Sequence, residues 1–517
     1  MFSLKSSISR RTLLALTGAV VGGAILPASA AAAKTYITHT AGSFALFYKP
    51  RRTGLIWDTW MYHHEGTFYL YYNPSPIRKE LGGWDCVALA TSRDGVHWNE
   101  HGIVIEASEG VSLLGSGAVW PAQDSGGKGK FIMNFSEWRG SLETGSSQGI
   151  HFAESHDLIH WRRLDSKYDL YQDPRWYEPR GRWDNLWPVP RPGGGYYGYW
   201  AASPKDKRVG LGFGESHDGI TWRALEPALL PEAESGFAFV HSPEVGAVYL
   251  WRKRYYALVG LNGTQPTVVK VNDQMAFRPC QSTYVSDAPS GPFFLAKKNP
   301  RLLVGNASYF ARFADTPDGV LLNHHSWEVD HATGAIDPDQ SYMTPIKRAQ
   351  WDDEGTLRLV WWERNDQAKK KELQIPIVEQ SPDSRPALLE TIFDRNKILI
   401  VEGEMPVPDS EKVEPAGLYL QGTGDAGTAF LVRGNAAVEY GSMLADGTRF
   451  EKHDRVDRDL KVDGSARFRL IRRGRITEFY LNDYLMQCYC LPEQGTGRIG
   501  FIGPAHYFRN IKAWYCA

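Results

Sequence analysis

At 517 residues the chain is too long for one ordinary hydrophobic core, so two domains are expected. It carries 58 Lys and Arg against 59 Asp and Glu, a net charge of -1, and no long run of either sign, which argues against nucleic acid or an anionic membrane as partner. With 18 Trp, 25 Tyr, 51 Gly and 30 Pro, it predicts many short strands joined by tight turns, with aromatic faces on which sugars can stack.

The first segment stands apart from the fold. "SRRTLLALTGAVVGGAILPASA" carries Arg10 and Arg11, an apolar stretch from Leu13 to Leu26, and Ala28 and Ala30 in an A-x-A arrangement. This order predicts a twin-arginine export signal over residues 1–30, cut near Ala30, that sends a folded bacterial protein to the periplasm or beyond. The apolar stretch is short for a membrane span, and nothing later reaches spanning length.

Three related units follow: "ATSRDGVHW" ending at Trp98, "AESHDLIHW" at Trp161 and "GESHDGITW" at Trp222. In each, Ser stands two residues before Asp and Trp four after it. That spacing predicts a hairpin in which Asp caps the turn through backbone amides and Trp packs between sheets, so these residues are structural. The interval between units holds four strands, the content of a propeller blade. Five blades are expected, over residues 54–98, 115–161, 182–222, 237–283 and 305–362, in a catalytic domain spanning 35–378. The polar stretch from Glu379 to Glu390 reads as a linker. Beyond it, "GLYLQG", "TAFLVRG" and "GRIGFIG" alternate as antiparallel strands of a β-sandwich over 388–517. The fold class is all-β: a five-bladed β-propeller followed by a C-terminal β-sandwich.

Of five cysteines, Cys86 and Cys280 lie far apart while Cys488, Cys490 and Cys516 cluster. Either Cys488 or Cys490 pairs with Cys516, or all are buried thiols; both readings stand.

Acids recur at blade starts. Asp58 precedes Tyr69 by eleven residues, Glu244 precedes Tyr255 by eleven, and Asp184 precedes Tyr196 by twelve. The first strand of each blade lines the central channel, so Asp58, Asp184 and Glu244 are expected to meet in one funnel. Carboxylates held together cannot all ionise freely, and one that stays protonated near neutral pH can act as an acid beside an ionised partner. Cleavage of a glycosidic bond needs that division of labour. Trp57, Trp60, Trp183 and Trp187 flank two of the acids as candidate sugar-stacking walls. Trp120, Arg182 and His241 join them as candidate substrate contacts. His324 and His325, in "GVLLNHHSWEVD", read as hydrogen-bonded core residues rather than metal ligands, and no metal or other cofactor is expected. His63 and His64 fall near a hairpin turn.

In these motifs the chain resembles glycoside hydrolase family 32, the invertase, levanase and inulinase group, whose propeller is shared with families 43 and 68. "WDTW" followed by "FYLYYNPSP" matches its nucleophile motif, and "WDCVALATSRDGVHW" its next block. "GSGAVW" resembles its F-S-G-S segment; "RWDN" falls at its R-D-P, "SPEVG" at its E-C-P, and "RFRLIRRGRITEFYLNDY" at a strand pair of its sandwich. The resemblance implies Asp58 as nucleophile, Glu244 as general acid/base and Asp184 as transition-state stabiliser, on furanosides and foremost β-fructosides. Pro does not follow Asp184, nor Cys Glu244. In family 43 the same positions act as base, pKa modulator and acid with inversion, so an arabinofuranosidase or arabinanase is the alternative, with a non-catalytic sugar-binding propeller as a third reading. The expected partner is an oligo- or polysaccharide met by a monomer.

Overall fold

The computed structural model describes residues 45–51, 56–74, 85–123, 129–140, 147–206, 208–231, 243–260, 268–271, 274–277, 281–333, 336–375, 386–503 and 507–516. The expected export signal and His241 lie outside them. Five sheets follow one another as propeller blades. Blade one runs Trp57–His64, Thr67–Asn73, Cys86–Ser92 and Asn99–Glu106 in strict order, and blade three Trp183–Pro190, Tyr196–Ala202, Gly210–Ser216 and Arg223–Leu229. The inner edge of blade two is split into Leu113–Gly115 and Val119–Pro121, both paired to Phe131–Arg139, with Ser147–Ser155 and Arg162–Arg163 outside. Blade four opens on Glu244–Trp251 and blade five on Ser308–Thr316.

The repeated units behave as their chemistry requires. Asp94 Oδ1 accepts the amides of Val96 and His97, both at 2.8 Å, while Ser92 Oγ accepts the Gly95 amide at 2.8 Å. Burial opposes the charge on Asp94, but these donors and His97 outweigh it and hold the carboxyl down at about 2. Asp157 and Asp218 repeat the arrangement. One correction follows: Trp98, Trp161 and Trp222 do not close their blades. Each stands in the turn before the outermost strand, so blades one to three extend to Glu106, Arg163 and Leu229.

The described residues form one compact unit. In the sandwich, a six-stranded sheet (Ala387–Leu388, Ile499–Ile502, Ala416–Leu420, Ala426–Val432, Val438–Leu444, Phe450–Val456) faces a layer built on Tyr484–Cys490, Ile476–Leu481, Ser465–Arg473 and Leu399–Pro406. Alternation along these strands turns Leu418, Phe430, Val401, Leu470 and Phe479 into one core between the layers. The second layer continues through the Val360 to Tyr484 pairing into blade five, making one eleven-stranded sheet. Arg301, entering from blade four, forms a bidentate buried pair with Asp454 at 2.9 and 2.7 Å. Sheet continuity and ion pairing thus fix the sandwich against the propeller. Cys488, Cys490 and Cys516 are free thiols, so the pairing with Cys516 is not made.

Candidate active site

The three acids open three inner strands, as expected. Asp58 is the second residue of Trp57–His64, Asp184 the second of Trp183–Pro190, and Glu244 the first of Glu244–Trp251. At or just behind each, the pairing register slips: between Trp57 and Thr59, around Asp58 itself, between Asp184 and Trp187, and between Val245 and Ala247; blade five slips likewise between Tyr309 and Arg312. A bulge bends its strand and re-aims the side chains in and beside it. Asp58, Asn185 and Phe310 have positive φ of 30°, 72° and 62°. Such backbone costs a non-glycine residue about 1–3 kcal/mol and persists only where surrounding packing enforces it.

One guanidinium joins two of the acids. Arg182 Nη2 donates to Asp184 Oδ2 at 2.7 Å and also to Glu244 Oε1. The Tyr309 hydroxyl donates to Glu244 Oε2 at 2.7 Å. It fits because residue 260, opposite Glu244 in the ladder, is Gly: any Cβ there would collide with the Tyr309 hydroxyl. A second guanidinium, on wholly buried Arg312, donates from Nη1 to Gly117 O at 2.6 Å and from Nη2 to Ser116 Oγ at 2.9 Å and Asn185 Oδ1 at 2.6 Å. The "GSGAVW" segment therefore supplies acceptors for Arg312, and its Gly115 makes room for Asp184, whose Oδ1 would lie 2.6 Å from a Cβ at that position.

Three carboxyls face two guanidiniums, and the surplus shows in the electrostatics. Burial, reinforced by the like charges of Glu244 and Asp184, pushes Asp58 up to about 7 against the opposing pull of Arg312 and Arg182. Burial also brings Arg312 down to about 10, although all three acids favour its charge. For Arg182 burial works the same way, but Glu244 and Asp184 outweigh it and hold it above its ordinary value. Burial and Glu244 raise Tyr309 well above a free phenol, so it remains a donor. Asp184 Oδ1 and Arg182 Nε are buried without a hydrogen-bond partner among the described residues. Unmet polar groups of this kind, beside crowded acids, are what a polar ligand would satisfy.

The aromatic candidates divide. Trp57 is half-buried beside Asp58, its ring 4.8 Å from both His325 and Trp327. Trp187 is half-buried between blades, donating to Val248 O at 2.9 Å with its ring 5.4 Å from the Arg312 guanidinium. Trp60, Trp120 and Trp183 are core residues, at 1, 2 and 0 % exposure, and no sugar can reach them. Trp60 packs on Tyr71 between blades one and two; Trp183 packs on Tyr177 and Trp200; Trp120 donates to Gly219 O at 2.9 Å. Trp138, not singled out from sequence, lies 4.8 Å beneath the Arg182 guanidinium. Tyr309, Arg312 and Asn185 were equally unforeseen. The available signal was "SYFARFADT": the inner strand of blade five has Tyr309 as its second residue, where blades one and three have Asp58 and Asp184, and Arg312 is a lone cation in an apolar inner strand.

His324 is hydrogen-bonded in the core as expected, whereas both ring nitrogens of wholly buried His325 lack a partner among the described residues. Among the described residues no group of three or more His, Cys, Asp and Glu side chains is placed to hold a metal ion.

The architecture is that of the propeller-plus-sandwich enzymes of glycoside hydrolase family 32. Similar solved structures include a β-fructofuranosidase of that family from Bombyx mori (14% identity, 93% of this chain and 94% of that one, TM-score 0.65) and an exo-inulinase from Aspergillus awamori (12%, 92% and 98%, TM-score 0.64). A sucrose-6-phosphate hydrolase from Lactobacillus gasseri is alike at 13% identity, 94% of each chain and TM-score 0.63. No family model and no curated protein matches the sequence.

Proposed function

We propose that the chain is an exported glycoside hydrolase that cleaves furanosidic bonds, foremost β-fructosidic ones, with retention of configuration. The observation that carries the reading is the convergence of Asp58, Asp184 and Glu244 from three blades on two guanidiniums, which leaves one carboxyl, Asp58, protonated up to about pH 7. The fructofuranosidases and inulinase that share the fold support the substrate class.

The chemistry needs one proton among the acids. In the free site that proton rests on Asp58, while Glu244 accepts from Arg182 and Tyr309. A glycosidic oxygen entering beside Glu244 competes for those donors, so the proton moves to Glu244 and Asp58 ionises. Glu244 then protonates the departing oxygen as Asp58 attacks the anomeric carbon. Water, deprotonated by Glu244, releases the sugar from Asp58. Asp184, held by Arg182, accepts sugar hydroxyls, and the two guanidiniums stabilise the charge on the acids throughout.

The test is a panel of sucrose, inulin, levan and nitrophenyl furanosides. Release of fructose from sucrose or inulin is expected, with Asp58→Asn lowering kcat at least about 10³-fold in a folded protein. Full activity of that variant overturns the assignment. Cleavage of arabinofuranosides alone moves it to the inverting, family 43-like alternative.

A further inference from the structure

Blade two carries a polar cleft of about 400 Å³, separate from the acids. Phe131–Arg139 links the two places. Trp138 lies against Arg182 on one face of this strand, and alternation turns its neighbours Glu137 and Arg139 to the other face, into the cleft. Its floor is a fixed set of charges. Glu137, almost wholly buried, accepts the Ser108 amide at 2.8 Å and Arg163 Nη2 at 2.7 Å. Burial opposes its charge, but these donors prevail and hold the carboxyl below its usual range. Asp169 Oδ2 lies 3.1 Å from His151 Nδ1, which leaves the other imidazole nitrogen 3.8 Å from Glu137 Oε2. Arg163 is steadied over the Phe135 ring at 4.5 Å.

At the rim stands Tyr171, 51% exposed, more than any other Phe, Tyr or Trp among the described residues. Its ring lies over the strand because residue 149 is Gly; a Cβ there would come 2.6 Å from the ring. The Tyr171 hydroxyl reaches Asp169 Oδ2 at 3.3 Å, and the ring meets His151 edge-on at 6.2 Å.

We infer that this cleft is a second sugar-binding site, which takes a unit of a neutral polysaccharide while its end is processed at the acids; the inference rests on reading those acids as a carbohydrate-active site. Carboxylates and guanidiniums answer one another here, so a charged ligand gains little, and a phosphate would face Glu137 and Asp169. What the cleft offers is an array of oriented donors and acceptors beside an exposed ring, which suits vicinal hydroxyls and the apolar face of a sugar. Glu137 and Arg139 of the cleft flank Trp138, which packs on Arg182, so the two places lie one strand apart; when one chain of sugars engages both, the second contact acts intramolecularly.

The test is native electrophoresis through gels containing inulin, levan or linear arabinan, with Asp58→Asn as the starting protein so that nothing is cleaved. Retardation by one of these polymers is expected to survive free fructose in the gel and to weaken about fivefold when Tyr171→Ala is added. Unchanged mobility in polymer-free gels and an unchanged Tm show that the fold is kept. His151→Ala is the second variant and is expected to act in the same direction. No retardation by any polymer, or retardation that both variants leave intact, overturns the site. Because binding is read without turnover, retardation through Tyr171 in a chain that hydrolyses no furanoside would keep the site and sink the catalytic reading; hydrolysis without retardation does the reverse.

Discussion

The acids at the propeller hub and the ion cluster at the seam with the sandwich are both withdrawn from water, yet their charges are answered differently. At the seam, Lys347 Nζ lies 2.5 Å from Glu478 Oε1, Tyr480 donates to Glu478 Oε2 at 2.5 Å, and His324 Nε2 lies 2.7 Å from Lys347 and 2.9 Å from Thr344 Oγ1. Burial opposes the charge on Glu478, but Lys347 and His324 bring it down to about 2. His324 is pushed to about 4 by burial and Lys347, so it stays neutral and the cluster holds one anion and one cation. The hub instead sets three acids against two guanidiniums, raises Asp58 to about 7 and leaves Asp184 Oδ1 without a partner among the described residues. Charge that is matched and fully hydrogen-bonded holds two domains together; surplus like charge leaves a proton ready to move.

Breaking each cluster separates the two roles. The largest effect is at the hub, where Glu244→Gln is expected to remove at least about 10³-fold of kcat, with an unchanged urea midpoint. At the seam, Lys347→Met strands Glu478 as an unpaired buried anion and is expected to cost about 3–5 kcal/mol of stability, read from urea unfolding, with the double variant Lys347→Met/Glu478→Leu recovering most of it. If Lys347→Met leaves stability untouched, the seam is not the anchor described. Tyr309→Phe removes a donor from Glu244 and is expected to lower kcat/KM about tenfold, seen in initial rates with sucrose.

A smaller effect has the opposite sign. Asp58 has its carboxyl raised in the fold from 3.8 to about 7. The stability linked to its protonated form is complete below 3.8 and lost as pH rises through about 7. Asp58→Asn, which cannot ionise, is therefore expected to be more stable than the natural chain by about 1–3 kcal/mol at pH 8, with the gain vanishing toward pH 3. Equal gains at both pH values would mean that ionisation of Asp58 is not what strains the hub.

The hub acids were legible because a propeller repeats one structural position, so Asp58, Asp184 and Glu244 identified each other across distant sequence. The turn aspartates were legible because their bonds are local. Trp60 and Trp183 were misread because closeness in sequence to an acid says nothing about which side of a bulged strand a ring takes; the bulges beside Asp58 and Asp184 appear in no composition or period. Tyr309 and Arg312 reach the site from blade five, whose inner strand has no acid at its start to flag it. The pairing of Lys347 with Glu478 joins residues 131 positions apart in different domains and has no sequence signal at all.

The most direct test is the pH dependence of kcat/KM for sucrose in the natural chain and in Asp184→Asn. If the hub shares one proton that Asp58 holds up to about 7, activity falls on the alkaline side with a midpoint near that value. Removing the like charge of Asp184 then moves the midpoint to lower pH. Activity that persists undiminished to about pH 9, or a midpoint that Asp184→Asn leaves in place, would contradict the account.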